Sequence, residues 1–154
     1  MFDFYKYVET FNSGEDRAML DKFWVEDLEV ISNRSNMPGI SASGKEEFFK
    51  FLVFAHDGVR EIMRIQTLIE NENNIFAEID MDFYASKDRP DYPFGHLEPG
   101  DLITVKMFSL YFLRGDRIAK LKMASWIPNV GITESPIRGF GPPPPILEGT
   151  RKVL

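Results

Sequence analysis

The chain has 154 residues and a formal net charge of −6, with 44% hydrophobic and 27% charged residues. That is the length and balance of one globular domain, acidic enough to argue against nucleic acid and anionic membrane surfaces as partners. Cysteine is absent, which excludes disulfide and thiolate chemistry and fits a cytoplasmic location; no apolar run reaches the roughly 18 residues of a membrane span.

In chain order, the segment before Phe11 carries Asp3 and Glu9 among its aromatics and does not read as a signal peptide. Phe4, Tyr7, Val8 and Phe11 share one helical face, and Asn12-Ser13-Gly14 ends that helix. Ser13 with Asp16 three residues on has capping-box spacing, and predicts a second helix that buries Met19, Leu20 and Phe23. Trp24 to Ser32 is strand-like, and Asn33 to Ser43, with Pro38 and Gly39, reads as a loop. A third helix is expected to open at Ser43 with Glu46 at the reciprocal capping position. Its body, 48–54, is apolar nearly all round and so predicts burial on most sides.

The second half reads as two hairpins: 59–70 with 75–86, and 102–113 with 117–127. Ile79, Met81 and Phe83 alternate with Glu78, Asp80 and Asp82, so that strand has one buried and one acidic face. A register that sets Ile65 beside Ile79 also sets Arg64 beside Asp80. Arg114-Gly115-Asp116 is best explained as a tight turn. Helices followed by a run of strands mean an α+β fold. The expected architecture is a curved antiparallel sheet with three N-terminal helices on its concave face, enclosing an apolar pocket. The domain spans 1–127, and 128–154 is a Gly/Pro-rich tail whose run Pro142 to Pro145 is a polyproline II candidate.

The stretches Phe11-Asn12-Ser13-Gly14-Glu15-Asp16 and Phe23-Trp24-Val25-Glu26-Asp27, with Leu20, Gly44 and the last hairpin around Gly115-Asp116-Arg117-Ile118, resemble the nuclear transport factor 2-like superfamily, in its SnoaL-like or ketosteroid-isomerase-like branch. The resemblance covers residues 3–127. It implies a cone-shaped fold with an apolar pocket between sheet and helices, commonly in a homodimer packed through the outer sheet face. It does not choose among the family's activities, which include isomerases, cyclases, dehydratases, epoxide hydrolases and non-catalytic binders. The ketosteroid isomerases work with an acidic base, a tyrosine and a protonated carboxylic acid. Of that set the tyrosine falls on Tyr7, but the base falls near Ser32 and the second carboxyl near Phe108. With no acid at either place, fast steroid isomerisation is not expected; a proton-abstraction assay on a Δ5-3-ketosteroid checks it.

Two functions fit this reading: a cofactor-independent lyase, isomerase or cyclase on a small apolar, even polycyclic, substrate, or a non-catalytic small-molecule binder of the same fold. For the enzyme, His56 is the expected proton carrier and Tyr7 the hydrogen-bond donor, both facing one cavity. The expected lining is Met63 and Ile65, Met81 and Phe83, Phe108 and Leu110, and Met123, with Phe48 or Leu52 from the third helix. Trp24 and Asn33, at the two ends of the first strand, are further ligand-binding candidates. No cofactor is expected, and two histidines without cysteine argue against a metal site.

Overall fold

The computed structural model describes residues 2–34 and 37–126, and the Gly/Pro-rich tail lies outside them. The elements run α1 (Phe4–Asn12), α2 (Asp16–Phe23), β1 (Trp24–Arg34), β2 (Met37–Ser43), α3 (Lys45–His56), β3 (Val59–Glu70), β4 (Asn74–Ala85), β5 (Leu102–Arg114) and β6 (Arg117–Trp126). One six-stranded sheet has the order β2-β1-β6-β5-β4-β3, and the three helices pack on one of its faces. All neighbours are antiparallel except β1 and β6, which run parallel because the chain passes through α3 and both hairpins before β6 returns beside β1. Register shifts in β1, β3 and β5 curl the sheet around the core.

The β3–β4 register pairs Ile65 with Ile79 and Arg64 with Asp80, as the alternation predicts. The acidic row is answered by cations on the same face. Lys106 Nζ lies 2.7 Å from Glu78 and 3.0 Å from Asp80, and Arg64 donates to both oxygens of Asp82 at 2.6 and 2.8 Å. The Arg114-Gly115-Asp116 segment is the β5–β6 turn, with Gly115 at φ +65°.

Four local expectations are corrected. The segment 37–43 is a strand, not a loop: β2 lies at the sheet edge, where a proline is tolerated, and a side chain on Gly39 would meet the Ser32 carbonyl at 2.8 Å. Ser13 does not cap α2, because Asp16 is engaged by His56 while the Ser13 hydroxyl donates to the Thr10 carbonyl. At α3 the reach-back comes from Glu47, which accepts from Ser43 N at 2.6 Å, while Glu46 pairs with Arg17. And α3 is not buried on most sides: Phe48, Leu52 and Ala55 face the core, but Val53 and Phe54 are 53% and 44% exposed.

The free edge at β3 is closed by a side chain. Asn12, fully buried at the end of α1, accepts from Met63 N at 2.7 Å and donates to Met63 O at 3.0 Å, as a neighbouring strand would. Asn12→Ala leaves two buried backbone groups unpaired, at about 1–3 kcal/mol each. Together that is about 2–6 kcal/mol, which for a domain of this size lowers Tm by roughly 4–24 °C. A calorimetric Tm within about 2 °C of wild type would show that the pairing contributes little.

Candidate active site

The curl of the sheet leaves a small cavity of about 70 Å³ between its concave face and α1 and α3. Tyr7 and Phe11 of α1, Phe48, Phe51 and Leu52 of α3, and the inward rows of β3–β6 line it. Four methionines (Met63, Met81, Met107 and Met123) make the wall adaptable, since an unbranched thioether repacks readily. Polar atoms enter from Ser32, Ser109, Tyr7, Tyr111 and Glu61.

Glu61 is the only charged residue among the described residues of the lining. It sits on β3 in the same inward row as Met63, and its side chain is 13% exposed. Its Oε1 accepts from the Tyr92 hydroxyl at 3.1 Å, and its Oε2 lies 3.6 Å from His56 Nε2. The other side of the His56 ring is held by Asp16, with Nδ1 2.7 Å from Oδ2, and Phe11 packs edge-on against it. Burial by itself would lower the His56 pKa, but the two flanking carboxylates outweigh it and raise it to about 10. At neutral pH His56 is therefore an imidazolium hydrogen-bonded to Asp16, with the Glu61 carboxylate beside its other nitrogen at ion-pair distance. Tyr92 belongs to the 86–101 segment between β4 and β5. That segment packs Tyr92 and Phe94 against Phe83, with ring centroids 5.5 and 5.1 Å away, and so closes one end of the cavity.

Tyr7 is buried and lines the cavity. Burial pushes its phenol well above the usual range, and the neighbouring Tyr111 hydroxyl pushes it the same way. It is a fixed neutral donor, not an acid near neutrality.

The expected lining residues Met63, Met81, Phe83, Met123, Phe48 and Leu52 border the cavity. Ile65 is buried on the same inward row without bordering it. Phe108 and Leu110 are on the opposite face of the sheet, Phe108 stacked on Phe76, and the inward residues of β5 are Met107, Ser109 and Tyr111. Apolar residues on both rows of β5 blur its alternation; Lys106, paired with Glu78 and Asp80, marks the even row as outward. Trp24 is fully buried beneath Phe48 and Tyr7 rather than at the cavity, and Asn33 is exposed on β1.

His56 and Tyr7 do not share the cavity. His56 lines a separate open cleft of about 470 Å³ beside β3, bordered by Ser13, Arg60, Tyr84 and Ser86, and among the described residues Phe11 and Glu61 border both spaces. The expected proton carrier His56 thus opens on the cleft and is flanked by Asp16 and Glu61, while the expected donor Tyr7 lies on the cavity. Sequence reasoning misses Glu61, although a signal is there: a lone carboxylate between Val59 and Met63 on the row that buries them. His96 is exposed and paired with Asp88. Among the described residues no cluster of three or more His, Asp or Glu side chains is arranged to hold a metal ion.

No family model matches the chain, and no curated protein matches it in sequence. Solved structures do match in fold. A candidate polyketide cyclase from Silicibacter sp. TM1040 has a TM-score of 0.63 at 18% identity, over 79% of this chain and 84% of its own. Another, from Xanthomonas campestris pv. campestris, has a TM-score of 0.61 at 23% identity, over 77% of this chain and 83% of its own. A protein with a ketosteroid isomerase-like fold from Catenulispora acidiphila has a TM-score of 0.58 at 12% identity, over 82% and 85% of the two chains. At these identities the likeness is one of architecture: three helices on a curled mixed sheet, the nuclear transport factor 2-like fold shared by SnoaL-like and ketosteroid-isomerase-like proteins.

Proposed function

We propose that the chain is a cofactor-independent lyase, isomerase or cyclase acting on a small, largely apolar substrate, with Glu61 as the group that moves the proton. One observation carries this: among the described residues the cavity lining holds one charged group, the Glu61 carboxylate, which accepts from the Tyr92 hydroxyl and has the His56 ring 3.6 Å away. A carboxylate in such a wall can take a proton from carbon and return it elsewhere on the substrate. Tyr7 donates to the oxygen on which charge develops. His56 holds Glu61 in place and balances its charge. The candidate polyketide cyclases of the same fold support this reaction class.

Small cyclic enones, epoxides and β-hydroxy ketones, followed by proton NMR in D2O, provide the test. Isomerisation, elimination or deuterium exchange above background with wild type and lost in Glu61→Gln supports the proposal; equal rates for the two proteins overturn it. The second reading, a non-catalytic binder, is favoured by the methionine-rich wall and predicts ligand uptake with no chemistry in either protein. We propose a homodimer through the outer sheet face, supported by the half-buried Phe76, Phe108, Leu110 and Phe112, and a cytoplasmic location, supported by the cysteine-free composition. Sedimentation as a single chain at micromolar concentration would count against the dimer. Among the described residues no helix is long and apolar enough to cross a membrane.

A further inference from the structure

The cavity of about 70 Å³ is less than half the roughly 150 Å³ that admits benzene into an engineered protein cavity. It cannot hold the whole of a substrate of ordinary size. The cleft beside β3 is larger, about 470 Å³, and open to solvent. The two spaces share Phe11 and Glu61 as a common wall, so a molecule reaching across that wall would present its middle to the Glu61 carboxylate.

The cleft has its own recognition group. Arg17, Arg64, Arg89 and Arg114 each have a carboxylate partner. Arg60 has none among the described residues. Its Nη2 donates to the Asn12 carbonyl at 2.8 Å, which fixes the guanidinium at the cleft wall, and its buried Nε finds no acceptor. A half-buried guanidinium without a counter-charge, held rigid by a backbone carbonyl, suits a carboxylate or similar oxyanion. The second cation of the cleft, His56, already faces two carboxylates, Asp16 and Glu61, and does not compete for that role.

Resting on the reading of the cavity as the substrate site, but not on Glu61 moving a proton, we infer that the ligand is an amphipathic organic anion. Its oxyanion pairs with Arg60 in the cleft, and a compact apolar group passes between Phe11 and Glu61 into the methionine-lined cavity. The methionine side chains repack to admit that group.

Phenylacetate and its neutral isostere phenylacetamide test this by titration calorimetry and by intermolecular NOEs at pH 7.5. Wild type should bind phenylacetate at least tenfold more tightly than the amide, with ring protons near the methyls of Met63, Met81 or Met123. Arg60→Gln, which removes the charge and keeps a polar amide on the strand, should bring the preference close to one while leaving amide affinity unchanged. Equal affinities in wild type, a preference that survives Arg60→Gln, ring contacts confined to Tyr84 and Ser86, or no binding of either probe at millimolar concentration would each overturn the inference. The wild-type preference and the NOEs keep the test decisive if the variant does not fold. Glu61→Gln should bind both probes, so loss of turnover in that variant and loss of anion preference in Arg60→Gln report on separate claims.

Discussion

Glu61→Gln is expected to lower turnover of the true substrate by about 10²–10⁴-fold, the range that a positioned acid or base contributes. Glutamine keeps the shape of the side chain and can still accept from the Tyr92 hydroxyl, now 3.1 Å from Oε1. It cannot take up a proton. His56 loses one partner but keeps Asp16 at 2.7 Å, so the local structure should hold. Tyr7→Phe should lower turnover less, because it removes a donor and leaves the proton path intact. Steady-state kinetics with far-UV spectra of both variants check this. A Glu61→Gln protein that folds and keeps more than a tenth of wild-type turnover would remove Glu61 from the chemistry.

His56→Ala is expected to destabilise the fold by about 3 kcal/mol, at the low end of the range for removing one partner of a buried ion pair. The loss is larger than for an exposed helix-terminal histidine because Asp16 and Glu61, each 13% exposed, are left facing the emptied site. In a domain of this size the fall in Tm is roughly 6–12 °C. The sign of the pH dependence follows from the raised pKa. Folded His56 binds its proton up to about pH 10, against an ordinary value of 6.5. Its contribution is therefore fully present below about pH 6.5 and is lost as pH rises toward 10. The Tm difference between wild type and His56→Ala should be greatest near pH 6 and shrink by pH 10. A difference that stays constant over that interval would mean the ring is not charged in the folded protein. Catalysis through Glu61, for its part, should not follow a histidine titration near neutrality.

How far each level of description reaches depends on which signals are local. The two hairpins of the second half, the β3–β4 register and the turn at Gly115 are legible because charged residues mark one face: Glu78, Asp80 and Asp82 on β4 show which row points away from the helices. On β5 that marker is a single lysine. With Met107, Phe108, Leu110, Tyr111 and Phe112 apolar or aromatic on both rows, the pattern points to the wrong parity. The strand at 37–43 is hidden because Pro38 and Gly39 have the composition of a turn; only its place at the edge of the sheet makes them compatible with pairing.

By itself, then, the amino-acid sequence determined an acidic, cysteine-free α+β domain, its helix faces and most of its strands, since these follow from periodicities of 3.6 and 2 within short segments. It also determined that Tyr7 faces inward. Only the tertiary structure decided the site. Asp16, His56 and Glu61 come from a helix start, a helix end and a strand, and Asp16 and His56 are 40 positions apart. No spacing rule connects them; they meet because α2, α3 and β3 converge at one corner of the curled sheet. That convergence turned a histidine with an ordinary titration into a fixed cation and left a neighbouring carboxylate as the charged group of the cavity, because the charge state of a buried group is set by what the fold places against it.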